Sequence, residues 1–257
     1  MRARPAQSAQ HAPAPLPPDV AALAARHGLG GPVGVFRPRR MGRPTLALHL
    51  FTLTYLLVLI VPPVLYVLWL HRRYPEFSRK QAAKRLWLFE EGLIAHPFKG
   101  DGPSALRWDS VSLYTDVRQT IVNGIPGPVT YAYTLVPRSG VGGGLTLTEF
   151  YESPAVWGPW IQEAVARAQA PSVLHEVAAG EPVRFGGFQL SRTGLAGGGK
   201  PSLPWDELQG VEVVNGRVRV MRTGDPVPWG TVDVSRFGNL AVFLTVAENL
   251  GGRRTAG

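Results

Sequence analysis

The pattern closest to a known chemical motif is a glycine-rich stretch that ends in lysine, from Gly194 to Lys200. It matches G-x-x-x-x-G-K, the start of a phosphate-binding loop, in which backbone N–H groups and the lysine hold phosphate oxygens. In such a loop the next residue is Ser or Thr, which binds Mg²⁺ and begins a helix, but here it is Pro201. The pattern therefore favours a glycine-rich hairpin loop over a nucleotide-binding site.

The other residues that could do chemistry are scattered along the chain. None of the six histidines forms an H-x-x-x-H pair or lies beside carboxylates at metal-ligand spacing. The adjacent acids Glu90 with Glu91, and Asp206 with Glu207, would point to opposite faces of a strand rather than form an acid/base pair. Without cysteine, the chain has no thiolate nucleophile, disulfide or cysteine-based metal site. We expect no catalytic residue, no metal, no cofactor and no enzymatic activity.

The element that would position everything else is an apolar run, residues 45–70, which contains no Asp, Glu, Lys or Arg. As one helix it would be about 39 Å long, against a bilayer hydrocarbon core of about 30 Å. The run therefore predicts one transmembrane helix, kinked at Pro62 and Pro63 because proline donates no backbone hydrogen bond. His49, near one end, is expected to reach the lipid headgroups. The alternative is a re-entrant hairpin, which the basic flanks would explain, but each arm would be too short to cross.

Positive charge is concentrated beside this run. The formal net charge is +9, yet the chain from Tyr74 onward has 18 basic against 17 acidic residues. This distribution argues against a nucleic-acid partner and suits anionic lipid headgroups, near which each cation contributes about 1 kcal/mol. A slight basic excess after the run predicts a single-pass cell-membrane protein with a cytoplasmic C-terminal body. The predicted membrane-surface residues are Arg37, Arg39, Arg40, Arg43, Arg72, Arg73, Arg79, Lys80, Lys84 and Arg85.

Beyond residue 86 the apolar period changes from helical to alternating, which predicts strands. The stretches Leu88–Val111 and Gln189–Leu208 share an order: strand, Gly-Leu, glycine-rich loop and Leu-x-Trp-Asp. Each continues as strands and closes with one amphipathic helix, which fits a small antiparallel β-barrel closed by its C-terminal helix. The tryptophans are expected in the core or at the rim, and the aspartates could cap the next turn. The predicted repeat anchors are Trp108, Asp109, Trp205 and Asp206.

At these residues the chain resembles pleckstrin-homology-like (PH-like) domains. It resembles more closely a group of uncharacterised actinobacterial membrane proteins that carry a domain of unknown function, and its excess of Arg over Lys also indicates a bacterial source. The resemblance covers most of residues 86–250 and implies no activity, ligand or catalytic residue. It rests on LFEEGL (Leu88–Leu93), LRWD (Leu106–Asp109), LTEFYESPAVWGPWIQEAVARAQ (Leu147–Gln169) and LPWDEL (Leu203–Leu208).

The predicted fold class is mostly β (α+β), with one transmembrane helix followed by two small antiparallel β-barrel, PH-like domains. Each barrel is closed by a C-terminal helix. The predicted parts are a basic Pro/Ala-rich region with one short helix (1–44), the transmembrane helix (45–70), a basic juxtamembrane segment (71–85), PH-like domain 1 (86–170), a linker helix (171–181), PH-like domain 2 (182–251) and a disordered tail (252–257).

The leading hypothesis for function is a non-catalytic, membrane-anchored protein whose tandem PH-like domains bind a protein or lipid partner. The protein partner is not identified, and it would bind an exposed strand edge or the groove between helix and barrel. One alternative is a lipid-surface sensor that uses the basic flanks of the membrane segment. The other is an enzyme of unrecognised type. The sequence predicts no oligomeric state.

Overall fold

In the computed structural model of the chain, the residues described are 15–56, 61–97, 102–122, 125–140, 143–197 and 199–252. The α-helices among them are α1 (Pro18–Arg26), α2 (Arg43–Leu56), α3 (Val61–Arg73), α4 (Arg79–Ala83), α5 (Pro154–Ala179) and α6 (Leu240–Gly252). Short 3₁₀ turns lie at Pro75–Phe77, Trp108–Ser110, Trp205–Glu207 and Val234–Arg236.

The described strands form two four-stranded and two three-stranded sheets. The four-stranded sheets have the orders β1-β2-β3-β4 and β11-β10-β9-β8, and the three-stranded sheets are β5-β6-β7 and β12-β13-β14. The strands are β1 (Pro32–Phe36), β2 (Leu86–Phe89), β3 (Gly92–Ala95), β4 (Ser104–Arg107), β5 (Val111–Val122), β6 (Ile125–Pro137), β7 (Leu145–Thr148), β8 (Val183–Phe185), β9 (Phe188–Leu190), β10 (Gly194–Gly197), β11 (Lys200–Pro204), β12 (Leu208–Val214), β13 (Arg217–Arg222) and β14 (Gly230–Asp233).

The order of elements along the chain repeats. A four-stranded sheet, a 3₁₀ turn that begins with tryptophan, a three-stranded sheet and a helix follow one another from β1 to α5 and again from β8 to α6. The turns begin at Trp108 and Trp205, the tryptophans of the two Leu-x-Trp-Asp stretches. The sequence repeat therefore corresponds to a repeat in secondary structure.

The prediction of two closed β-barrels was wrong. In the described residues every sheet has a linear strand order, and none closes on itself. The fold is α+β, mostly sheets with several helices. Alternating apolar residues predict which face of a strand is buried, but closure depends on strand tilt and register stagger between neighbours. A single strand's pattern carries neither quantity.

The chain divides into two compact units, and the first contains residues 1–105 and 149–154. In its described part, α1 packs against the first sheet, because the apolar face of α1 and one face of the sheet share a core. Pro18 lies in the first turn of α1, where its missing N–H costs nothing, and Gly28 ends the helix region with a φ of 58°. The shared core consists of Val20, Ala24, Leu29, Trp87, Phe89 and Ile94.

The prediction of one transmembrane helix over residues 45–70 was wrong as well. The described part of this run forms two shorter helices, α2 with 14 residues and α3 with 13, and residues 57–60 lie outside the described residues. Pro62 and Pro63 fall in the first turn of α3, where helical N–H groups have no intrahelical acceptor. Across the described residues we find no helix with the length and apolarity needed to cross a bilayer, so the predicted single-pass membrane location is not supported.

The second unit contains residues 106–148 and 155–257. Its helix α5 buries Trp157, Ile161 and Val165, part of the predicted apolar stripe. Gly158 lies so close to the buried ring of Tyr133 that an added Cβ would overlap it. Small size at this position lets α5 approach strand β6.

A buried polar network ties α5, α6 and β5 together inside the second unit. The Gln169 side chain donates to the carbonyl of Val111 at 2.9 Å and also to that of Trp108. Asn239, beside the start of α6, donates to Gln169 Oε1 at 2.9 Å and accepts the N–H of Leu113 at 2.7 Å. Both side chains are buried, so their hydrogen bonds fix how the helices meet the strand.

Candidate functional site

The most unusual feature of the first unit is the connection between β1 and β2, residues 37–85. The two strands are antiparallel neighbours in one sheet, with Phe36 opposite Leu86. Paired strands lie about 5 Å apart, so the connection starts and ends at the same place. Helices α2 and α3 both lie within this connection. The chain must therefore travel outward along one helix and return along the other.

Contacts between α2 and α3 confirm this path. The Nδ1 atom of His49 lies 2.5 Å from the hydroxyl of Tyr66, and the His49 ring also contacts Trp69 and Tyr74. In one continuous helix, residues 49 and 66 would be about 25 Å apart along the axis. The two helices therefore lie side by side and antiparallel, and we call α2 and α3 the helical hairpin.

The open end of the hairpin, where α2 begins and α3 ends, is fixed by hydrogen bonds. The carboxylate of Glu76 accepts the backbone N–H of Met41, which joins the segment before α2 to the segment after α3. The amide of Gln81 donates to the carbonyl of Arg72 at 3.0 Å. These bonds orient the hairpin relative to the chain that carries it.

A short segment, residues 150–152, clamps the chain between β1 and the hairpin. Arg39 N–H donates to the Phe150 carbonyl at 2.7 Å, and Glu152 N–H donates to the Arg37 carbonyl at 2.9 Å. Tyr151, between them, is buried and donates its hydroxyl to the carbonyl of His96. Burial raises the pKa of Tyr151 well above its ordinary value, so the hydroxyl stays a donor. The segment that leads into the hairpin is therefore held by hydrogen bonds to residues 150–152 of the same unit.

The hairpin presents apolar side chains to the outside. Among the described residues of the hairpin, nine large apolar side chains are between 45% and 76% exposed. The other described large apolar residues that reach 45% are Val156, Val213 and Val227. Contiguous exposed apolar surface of this kind marks an interaction site in folded proteins. We call the following residues the apolar hairpin surface: Leu48, Leu50, Phe51, Tyr55, Val64, Leu65, Val67, Leu68 and Trp69.

The predicted membrane-surface residues lie on both sides of the open end. Arg43 is the first residue of α2, and Arg72 and Arg73 are the last two residues of α3. The guanidinium of Arg73 lies 6.0 Å from the ring centre of Tyr74. We call the exposed basic residues of this region the cation cluster: Arg37, Arg39, Arg40, Arg43, Arg72, Arg73, Arg79 and Lys80.

Two of the predicted surface residues point inward instead. Lys84 is 5% exposed and donates its ammonium to the carbonyl of Pro97 at 2.7 Å. Arg85 is half-buried and donates to the carbonyl of Lys84 at 2.7 Å. Burial lowers the pKa of Arg85, and the positive charge of Arg37 lowers it further. Both residues stabilise the first unit and do not belong to the cation cluster.

The repeat anchors have structural surroundings. Trp108 and Trp205 are buried, and the indole of Trp205 donates to the carbonyl of Ser191 at 3.0 Å. The carboxylate of Asp109 accepts hydrogen bonds from Arg107, which hold the pKa of Asp109 below its ordinary value. Asp206 is exposed. The anchors are the first two residues of two 3₁₀ turns.

The glycine-rich stretch is a β-hairpin, as its sequence favours. Gly194 begins β10, and Lys200 begins the antiparallel strand β11. Beside it lies a cleft of about 350 Å³ with Phe188 and Trp229 in its wall, where Lys200 donates to the Trp229 carbonyl at 2.6 Å. Lys200 is the only ionisable residue among the described ones that line the cleft. The described residues also contain no group of three or more His, Cys, Asp or Glu side chains placed to hold a metal.

Sequence reasoning missed β1, and with it the topology of the site. The five residues of β1 carry alternating Val33 and Val35, but they lie between glycine, proline and arginine residues that favour a linker. Their strand partner is β2, 50 positions away for Phe36 and Leu86. The alternating valines were the one available signal for a strand here.

Fold and site together define an α+β protein that carries an exposed apolar helical hairpin between two neighbouring strands. The chain belongs to the family of unknown function DUF6585, whose model matches residues 26–254. The match includes the whole hairpin and confirms the expected resemblance to a domain of unknown function. No curated protein and no solved structure matches the chain.

Proposed function

We propose that this chain is a non-catalytic lipid-binding protein, which docks on one face of a bilayer through the apolar hairpin surface. The observation that carries the proposal is an exposed apolar hairpin whose two ends join neighbouring strands of one sheet. An element that leaves and returns at one place can insert from one side without any crossing. This is the geometry of interfacial attachment rather than of a span.

The described helices of the hairpin are each too short to cross a bilayer. The 14 residues of α2 extend about 21 Å, which is less than the hydrocarbon core of about 30 Å. Helical backbone satisfies its own N–H and C=O groups, as a lipid environment requires. The hydroxyls of Thr52 and Thr54 are also paired within the helix, since they donate to the carbonyls of Leu48 and Leu50 at 2.9 Å each.

Vesicle flotation of the full chain tests the proposal. We expect the wild-type chain to float with phosphatidylcholine–phosphatidylglycerol vesicles, and the triple variant L48S/F51S/L65S to remain at the bottom of the gradient. These substitutions remove exposed apolar area without touching a buried residue. The circular dichroism spectrum and melting temperature of the variant would show that its units are folded.

The matched control removes three exposed apolar residues of the second unit. Val156, Val213 and Val227 are 55%, 49% and 65% exposed, comparable with the residues changed in the hairpin. The variant V156S/V213S/V227S should float like the wild type. A wild-type chain that does not float, or a hairpin variant that floats as well as this control, would overturn the proposal.

The other expectations stay predictions. A protein partner would compete for the same exposed surface, and no contact within either unit favours a particular protein class. An enzyme of unrecognised type would need converging titratable groups, which the cleft beside Lys200 does not supply among its described residues. An actinobacterial origin rests on composition and resemblance alone.

A further inference from the structure

The two basic flanks of the apolar run lie at the same end of the hairpin. In a single span, residues 37–43 and residues 72–80 would face opposite sides of a bilayer. In the observed fold, β1 pairs with β2 and Glu76 bonds to Met41, so both flanks meet at the open end. The basic residues before and after the apolar run are therefore separate in the sequence but lie together at the open end of the hairpin.

This combined charge exceeds that of the two carboxylates that are hydrogen-bonded to the same segments. The cation cluster contains eight exposed basic residues. The nearby carboxylates of Glu76 and Glu152 accept backbone N–H groups, from Met41 and Arg37 respectively. A strongly positive collar thus surrounds the end of the hairpin that would face the headgroups when the apolar hairpin surface is inserted.

We propose that the cation cluster makes the hairpin selective for anionic lipid headgroups. This inference rests on the proposed function, because it names which bilayer the hairpin prefers. Charge complementarity carries it, because the apolar hairpin surface suits the hydrocarbon of a leaflet and the cation cluster suits its anionic headgroups. Such cations attract a negative leaflet within a Debye length, so the preference must weaken as salt rises.

The experiment compares phosphatidylcholine vesicles with equal-part phosphatidylcholine–phosphatidylglycerol vesicles. We expect the wild-type full chain to partition at least about 30-fold more strongly into the anionic vesicles at low salt. The variant R72Q/R73Q removes two neighbouring charges of the cluster, which should lower partitioning into anionic vesicles by about 30-fold. Its partitioning into phosphatidylcholine vesicles should not change.

The matched control is R167Q/R192Q, which removes two exposed arginines of the second unit and the same net charge. It should bind anionic vesicles like the wild type. Equal wild-type binding to both kinds of vesicle, or equal losses for the two double variants, would overturn the anionic preference while leaving lipid binding intact. Failure of the wild type to bind either vesicle would instead refute the proposed function. The two failures are therefore distinguishable.

Discussion

Asn239 is the residue whose removal should most clearly report how the second unit is held together. It is 5% exposed and lies directly before α6 with a φ of 56°, in the left-handed region. Its Oδ1 accepts the N–H of Leu113, and its Nδ2 donates to Gln169 Oε1 and, at 3.3 Å, to the carbonyl of Val111. One side chain thus joins α6, β5 and α5.

The cost of losing this side chain follows from which partners are left without a hydrogen bond. Gln169 Oε1 keeps the donor Arg138, and the Val111 carbonyl keeps the donor Gln169, so these acceptors retain a partner. The Leu113 N–H is buried and loses its Asn239 acceptor, which costs roughly 2 kcal/mol. The loss of the two Nδ2 hydrogen bonds, to Gln169 Oε1 and to the Val111 carbonyl, adds roughly 1 kcal/mol, because both acceptors keep another donor. We expect N239G to lose about 3 kcal/mol of unfolding free energy.

A second variant separates hydrogen bonding from backbone conformation. Alanine at this φ adds a steric cost of roughly 1 kcal/mol that glycine avoids, so N239A should lose about 4 kcal/mol. Asn249, on the exposed side of α6, makes one side-chain bond to the Thr245 carbonyl and provides the control. Urea unfolding followed by tryptophan fluorescence should place N249A within about 0.5 kcal/mol of wild type. An N239G value equally close to wild type would refute the reasoning.

Two further predictions concern packing and pH. In Gly158→Ala the added methyl group would overlap the buried ring of Tyr133. The cost of overpacking should exceed the gain in helix propensity, so urea unfolding should show a net loss of about 2 kcal/mol in unfolding free energy. In the control Gly210→Ala, where nothing lies within 4 Å of the added methyl group, the unfolding free energy should change little. A Gly158→Ala variant as stable as wild type would contradict the close packing. Burial lowers the pKa of His96, so the folded state binds fewer protons than the unfolded state, and stability should be complete above about pH 6.5 and fall below it. His96→Gln should flatten this dependence in melting temperatures measured between about pH 7.5 and 5, whereas an unchanged slope would assign it to other groups.

Local turn chemistry was readable from the sequence. The Asn215-Gly216 pair predicts a two-residue hairpin turn, because both central residues of such a turn need positive φ. The structure has φ values of 51° and 72° at these residues, between β12 and β13. This prediction needs only neighbouring residues, and neighbouring residues are what a sequence shows directly.

Pairing between distant segments was not readable in the same way. The three hydrogen bonds of the Asn239 side chain to Gln169 and β5 join residues up to 128 positions apart. Each of these residues alone resembles a simple helix cap or an exposed amide. The same holds for β1, whose alternating valines gain meaning only beside β2. The prediction of closed barrels was wrong for the same reason, since register and stagger are properties of pairs of strands.

The apolar run shows why an uncharged stretch and a single helix are different predictions. The absence of charge over residues 45–70 shows that the segment is apolar, but it does not say how often the chain reverses within it. Two signals favoured a reversal. Pro62 and Pro63 suit the first turn of a helix as well as they suit a kink, and the structure uses them there.

The second signal was the charge on the flanks. A span sorts its basic residues to one side, yet here Arg37, Arg39, Arg40 and Arg43 precede the run and a similar set follows it. Basic residues on both flanks suit the one-sided docking that we propose, because both ends of the hairpin would then meet the same headgroups. The pairing of Phe36 with Leu86 places both ends of the hairpin on the same side, since paired strands lie about 5 Å apart. Charge on both flanks and strand pairing therefore lead to the same one-sided geometry, and the vesicle experiments on the hairpin and its collar depend on it.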